Sequence, residues 1–283
     1  MKNDNQKLIF ALAFTFVAAF FVTNTASAQI QAAGGGWYRA GYGTVYGSFG
    51  QASASQNLQR TVQTQMQRAT QRDAMIKKWG LAAVEKAERE AAAGSSGSAK
   101  SSNPAIVAFP PPVVRNYGVF RPDPTVDIGK ALADALGDTA AEKTLIKQIY
   151  SATKAAYEKE VAARGWKNNI AGGLTFFTVT AMTVYHDAPE PSDAAVNAYF
   201  RIVNAALDET PAFATIANKD KQAFNNMLIG FSGLLLAGYA DGKQNNDAAT
   251  LATYKKLARM MIENVLKTDP ENLRIENGQI VMK

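Results

Sequence analysis

Apolar residues between positions 125 and 268 return every three or four positions, the spacing that places them on one face of an α-helix. Short segments with cap and stop residues divide this region into six such stretches. The first is predicted to begin at Thr125 and the fifth to end at Gly242. A capping box of Thr139 and Glu142 begins the second. The pattern therefore predicts an all-α fold, a compact bundle of about six helices.

The C-terminal residues follow a different pattern. Apolar positions alternate on both sides of Asn277-Gly278, a dipeptide that favours a two-residue hairpin turn. We therefore predict that a short β-hairpin closes the helical domain, which spans residues 125–283. A domain of roughly 160 residues can bury a core of its own.

Residues 57–93 form a separate pattern, in which apolar side chains recur at helical spacing among Gln, Arg and Lys. The apolar stripe is narrow, and the segment ends in residues of high helix propensity. We predict one long amphipathic helix that packs on a partner, or only weakly on the main domain. The stripe consists of Leu58, Val62, Met66, Ala69, Ile76 and Ala83.

Two segments lack helical periodicity. Residues 29–56 combine Gly, Ala and Ser with aromatic residues, and glycine at this density disfavours a helix. We predict a low-complexity, flexible arm, with a segment that stacks on sugars or bases as the alternative. Residues 94–124 begin rich in Ser and Gly and end rich in Pro, which is typical of an extended linker.

The N-terminal residues resemble a secretory signal peptide in composition. Lys2 and Lys7 provide a basic start, and residues 8–22 carry no charge. This apolar run is shorter than the roughly 20 residues that a membrane-spanning helix needs. An uncleaved membrane anchor is the alternative interpretation.

The end of this segment matches a signal peptidase site. Ala26 and Ala28 occupy the two positions that require small side chains, so cleavage is predicted before Gln29. Residues 1–28 are then removed, and no transmembrane segment is expected in the mature chain. We expect the protein to be exported, to the periplasm or the external medium if the source is bacterial.

Composition adds two constraints. The chain contains no cysteine, so an exported product must be held together by packing rather than by disulfides. Residues 29–122 carry 11 Lys or Arg against 4 Asp or Glu, whereas residues 123–283 carry 17 against 19. The basic N-terminal part could meet an anionic surface or could simply be a solvated arm. Nucleic acid is an unlikely partner.

His186 is the only histidine of the chain, which excludes many kinds of site. A zinc site needs several His or Cys ligands, and a Ser-His-Asp triad could use only this residue. We interpret His186 as the C-terminal residue of a helix, where the helix dipole favours a cation. No catalytic, cofactor-binding or metal-ligating residue is predicted.

Two segments that could suggest a binding site are assigned structural roles instead. Residues 241–247 offer oxygen ligands, but they lack the spacing of a calcium-binding helix-loop-helix, so a glycine stop followed by an Asx cap is expected. Gly172-Gly173 lies inside an apolar helix, and close helix packing is the simplest explanation. No phosphate-binding glycine loop is present in the sequence.

Carboxylates leave one enzymatic alternative open. A peptidoglycan-cleaving hydrolase needs a carboxylic acid whose pKa is raised. The available side chains are Glu158, Glu160, Asp187 and Glu190, and nothing in the sequence distinguishes them from solvated residues.

Phe120-Arg121-Pro122, residues 193–200 (DAAVNAYF) and Asp269-Pro270 resemble a family of uncharacterised secreted bacterial proteins with a helical domain of unknown function. The resemblance covers Phe120 to Gly278. It implies export and an α-helical domain, and it implies no activity and no site residues.

Together these features favour an exported, non-enzymatic protein that binds another protein or a cell-envelope component. The envelope glycan hydrolase described above is the alternative. The oligomeric state is not determined by the sequence.

Overall fold

The computed structural model of the chain describes residues 52–93, 114–276 and 279–282. Its helices are α1 Ala52–Trp79, α2 Leu81–Ala93, α3 Ile128–Leu136, α4 Ala140–Arg164, α5 Ile170–His186, α6 Asp193–Asp208, α7 Ala212–Thr215, α8 Asn218–Gln244 and α9 Ala248–Met261. A π-helical turn, Ile262–Leu266, and a 3-10 turn, Pro270–Asn272, follow α9. The antiparallel strands β1 Leu273–Glu276 and β2 Gln279–Met282 end the described chain. The predicted all-α fold with a C-terminal β-hairpin is confirmed.

Several predictions fall outside the described residues. They concern the signal peptide with Ala26, Ala28 and Gln29, the Gly/aromatic arm up to residue 51, the linker residues 94–113 and the Asn277-Gly278 turn.

Helix starts follow the predicted capping chemistry, with one correction. The capping box is present, because Thr139 Oγ1 accepts the Glu142 N–H and Glu142 Oε2 accepts the Thr139 N–H. The first helix of the domain, α3, begins at Ile128 rather than at Thr125. Asp127 caps it, because the Thr125 hydroxyl donates instead to Asp123 Oδ1 at 2.7 Å.

Helix α8 is the centre of the bundle and packs against α3, α4, α5 and α9. Glycines along it face large side chains of its neighbours. Gly230 lies against Leu132 and Tyr150, and Gly238 lies against the ring of Tyr254. A side chain at either position would overlap these groups, so glycine is what permits the close approach. The helix also continues through Gly242, which was predicted to end it, as far as Gln244.

By length and composition α8 could also cross a membrane, but 83% of its most apolar window is buried inside the domain. Burial among other helices accounts for that composition, since a helix that is apolar on all sides is typical of a protein core.

Helices α5 and α8 run parallel. Gly173 of α5 lies opposite Asn225 of α8, and Asp187 after the C-terminal end of α5 lies opposite Tyr239. The close packing expected at Gly172-Gly173 is present, because the Tyr157 hydroxyl lies 2.7 Å from where a Cβ of Gly172 would be. Burial of the Tyr157 hydroxyl raises the pKa of Tyr157.

Residues 114–124 run along the surface of the bundle and are fastened to α6 by a buried carboxylate. Asp208, which is 1% exposed, accepts the backbone N–H groups of Arg115 and Tyr117, each at 2.8 Å. A buried carboxylate is stable only when its oxygens accept hydrogen bonds. Asp208 therefore has a structural role.

The same segment is bonded to two further elements. The Phe120 N–H donates to the Asn168 carbonyl at 2.9 Å. Gln222 of α8 accepts the Asp123 N–H and donates to the Asp123 carbonyl at 3.0 Å. The end of the predicted linker is therefore joined to the helical domain by hydrogen bonds.

Lys221, in the first turn of α8, is the buried cation of the described residues. The residue is 6% exposed, and its ammonium group keeps some contact with solvent while forming no ion pair or hydrogen bond within the described part of the chain. Loss of solvation lowers the pKa of Lys221. The folded state therefore carries an electrostatic cost at this position whenever the lysine is protonated.

We expect Asp208→Asn to lower the free energy of unfolding by about 1–3 kcal/mol. An amide NH2 group would face the N–H of Arg115 or Tyr117, and that N–H would lose its acceptor. Chemical denaturation measures the change. Asp138→Asn, at an exposed carboxylate, is the control and should change stability by a few tenths of a kcal/mol. Equal effects of the two substitutions would contradict the role assigned to Asp208.

We expect Lys221→Met to raise the free energy of unfolding by about 1–2 kcal/mol at neutral pH. The folded-state pKa lies below the unfolded value of 10.5, so the unfolded state binds more protons between the two values. The free energy of unfolding of the wild type therefore rises as pH increases between the folded-state and unfolded-state pKa values of Lys221. The difference in stability between Lys221→Met and wild type should shrink as pH approaches 10.5. Denaturation at several pH values measures this trend.

The control is Lys219→Met, since Lys219 is exposed. It should show no comparable gain in stability. A loss of stability in Lys221→Met at neutral pH would mean that the ammonium group has a partner which the described residues do not contain.

Candidate interaction surface

The segment predicted as one long helix consists of α1 and α2, which form a helical hairpin. Gly80 separates them with a left-handed φ of 86°, a conformation that favours glycine. The signal in the sequence is this single glycine inside an otherwise helical pattern. Helical structure over 57–93 is thus present, with a reversal of chain direction that the periodicity alone did not indicate.

The first half of α1 anchors the hairpin to the bundle. Val62 and Met66, both part of the predicted apolar stripe, are buried in the main hydrophobic core. Helix α1 packs there against α6, and Arg68 pairs with Glu209 at the end of α6 at 3.3 Å. The narrow stripe is therefore sufficient to attach one half of α1 to the domain.

The second half of α1 and all of α2 have a hydrophobic cluster of their own. Met75, Val84 and Ala87 are buried in it, separately from the main core. Arg72 of α1 donates two hydrogen bonds to Glu88 of α2, at 2.6 and 3.1 Å. Because α2 packs mainly against α1, this distal part of the hairpin extends away from the bundle.

The tip of the hairpin is basic and apolar. Lys77 and Lys78 are exposed, and the Lys78 ammonium lies 4.6 Å from the centre of the Trp79 ring. Leu81, on the other side of the turn, is 50% exposed. Nothing lies within 4 Å of the position that a Cβ of Gly80 would occupy, so the turn itself is open to solvent.

A second polar cluster lies where α5 ends. Asp187 has a left-handed φ of 53° and accepts hydrogen bonds from the Tyr239 hydroxyl, from Lys243 at 2.6 Å and from Lys255 at 3.3 Å. The Lys243 and Tyr239 hydrogen bonds hold the pKa of Asp187 well below its ordinary value. This carboxylate joins α5, α8 and α9, and its role is therefore to connect three helices.

His186 is the last residue of α5, as predicted. Its Nε2 lies 2.7 Å from the carbonyl oxygen of Leu273 in β1. Tyr185 beside it donates to Glu271 at 2.6 Å. These contacts attach β1 and the 3-10 turn before it to the C-terminal end of α5.

Two of the carboxylates considered for hydrolysis, Glu160 and Glu190, lie in one group with Asp193. Glu160 and Asp193 each accept a hydrogen bond from Arg164 at 2.6 Å. Partial desolvation raises the pKa of Glu190, and repulsion from Asp193 and Glu160 adds to the effect. Glu190 nevertheless keeps an exposed surface.

Glu158 is not part of this group of carboxylates. It is exposed and pairs with Lys154 one helical turn away at 3.5 Å. Asp187 belongs to the cluster at the end of α5. The four candidate carboxylates therefore lie in three separate places in the fold. They are Glu158, the pair Glu160 and Glu190, and Asp187.

The loop at residues 241–247 uses its oxygens within the protein. Asp241 Oδ1 accepts from the Asn245 side chain at 2.9 Å, and Asp247 caps α9 through the N–H groups of Ala249 and Thr250. Within the described part of the chain, no three His, Cys, Asp or Glu side chains are grouped as a metal site requires.

A family model, described as a family of unknown function, matches residues 11–283. The chain belongs to the DUF6683 family. The DUF6683 match includes the hairpin as well as the bundle, so the two form part of one family sequence. No curated protein and no solved structure matches the chain. The expected membership of an uncharacterised family is confirmed, whereas secretion and a bacterial source stay predictions.

We expect Asp187→Asn to lower the free energy of unfolding by about 1 kcal/mol at neutral pH, a modest value because the side chain is 33% exposed. Asn also adopts left-handed φ readily, so the substitution removes charge without backbone strain. The folded-state pKa lies below the unfolded 3.8, so the stabilisation is present above 3.8 and is lost as pH falls further. Wild type and variant should therefore converge in acid.

The control is Glu158→Gln, which removes an exposed ion pair and should change stability by at most a few tenths of a kcal/mol. Denaturation curves of both variants between neutral and acid pH provide the comparison. A difference for Asp187→Asn that persists unchanged in acid would contradict the electrostatic explanation.

Proposed function

We propose that the protein is an exported, non-enzymatic binding protein whose α1–α2 hairpin contacts another protein or a component of the cell envelope. The observation that carries the proposal is the hydrophobic cluster of Met75, Val84 and Ala87, which is separate from the main core. It makes the distal hairpin an ordered projection with an exposed tip.

Rigidity supports a role in binding. The Arg72–Glu88 pair and the separate cluster hold α1 and α2 together, and the buried Val62 and Met66 attach them to the bundle. A projection that is already ordered loses little conformational entropy when it binds. The bundle then serves as a support that presents the tip.

The carboxylates support binding over hydrolysis. The deeply buried acid of the described residues, Asp208, accepts two backbone N–H groups and holds a chain segment in place. Glu158 and Glu160 are ion-paired, and Glu190 is exposed. Glu190 has the raised pKa that a general acid needs, whereas the other three side chains are held in hydrogen bonds or ion pairs, so hydrolysis would depend on Glu190 alone.

We expect a photo-crosslinking amino acid at Ala82, exposed beside the tip, to form adducts with material from a cell-envelope extract. The same amino acid at Ala155, exposed on α4 of the bundle, is the matched control and should form few adducts. Gel electrophoresis and mass spectrometry detect the adducts and show whether they contain protein or lipid. Equal labelling at the two positions, or none at Ala82, would remove the basis of the proposal.

A further inference from the structure

We infer that the hairpin tip, residues 74–84, docks on the surface of a lipid bilayer that carries anionic headgroups. The inference rests on the proposed function and names the component that the tip contacts. Three properties of the tip support it: its charge, its apolar side chains and its small size.

The charge of the tip is of one sign. Residues 74–84 contain Lys77 and Lys78 and no acidic residue, whereas the flanking positions are Asp73 and Glu85. Both lysines are exposed and lie beside the open turn at Gly80. An anionic membrane attracts lysines close to its surface, by an amount that corresponds to about a fivefold gain in affinity for each one.

The apolar side chains of the tip suit a bilayer interface. Trp79 is half-buried against the hairpin cluster, and an indole ring is favoured at the level of the headgroups. Leu81, 50% exposed on the other side of the turn, can enter the boundary between headgroups and acyl chains. Gly80 adds no side chain that would hold this turn away from the membrane.

The size of the tip favours a membrane over a protein groove. A specific protein interface uses roughly 20–30 residues on each side, far more than the 11 residues of the tip. A membrane surface does not require that area, because each basic residue near it and each apolar side chain that enters it adds to the affinity separately. The rigid hairpin also keeps the two lysines and Leu81 at one end of the molecule.

Co-sedimentation of the mature chain with lipid vesicles tests the inference. Vesicles of about three parts phosphatidylcholine to one part phosphatidylglycerol should bind the protein, and vesicles of phosphatidylcholine alone should bind it much less. Raising NaCl to about 0.5 M should weaken the binding, because salt screens the lysines. Two tip variants, Lys77→Gln with Lys78→Gln and the single Leu81→Ser, should each reduce affinity at least about fivefold.

The matched control is Lys86→Gln with Arg89→Gln, which removes the same charge from exposed positions further along α2. It should retain most of the binding. Arg39, the basic residue of the mature chain before position 52, is common to all variants. Circular dichroism verifies that each variant keeps its helices. Leu81 lies outside the buried cluster. The Leu81→Ser variant therefore tests the tip even if the Lys77→Gln, Lys78→Gln variant perturbs α1.

The inference is overturned if the vesicles do not bind, or if the tip variants bind as well as the control. In that case protein adducts at Ala82 would leave the proposed function in place with a protein as partner. Absence of both adducts and vesicle binding would remove the proposed function as well.

Discussion

The bundle depends on how closely its neighbours can approach helix α8. Glycines at 230, 233, 238 and 242 replace side chains where aromatic, hydroxyl and aliphatic groups of α3, α4 and α9 press against this helix. Close contact increases dispersion attraction and leaves few voids, which is how a chain without cysteine holds a core together. Helices α5 and α8 approach closely where Gly173 faces Asn225.

Close packing also constrains the polar groups that it traps. Asp208 and Gln222 fasten residues 114–124 to the bundle through backbone hydrogen bonds, and Asp187 joins three helix ends through ion pairs. Lys221 has no such partner within the described residues, so it is a cost that the rest of the core offsets. These acidic and amide side chains therefore serve the structure, whereas the tip of the hairpin carries exposed lysines and an exposed leucine.

The two halves of the hairpin depend on the bundle to different degrees. Val62 and Met66 contribute to the main core, so the root of α1 is part of the domain. The distal half relies on its own small cluster and on the Arg72–Glu88 pair. Small clusters stabilise weakly, so this half is expected to open before the bundle does.

The sequence by itself determined the helical fold, the capping box at the start of α4 and the β-hairpin, because periodicity, capping and alternation act over a few neighbouring residues. It also predicted the helical nature of 57–93, including the stripe residues Val62 and Met66. Only the tertiary structure decided that Gly80 reverses the chain, that Asp208 is buried against Arg115 and that Lys221 is buried without an ion pair among the described residues. Those outcomes depend on contacts between residues far apart in the chain, and local patterns carry no information about which distant surfaces meet.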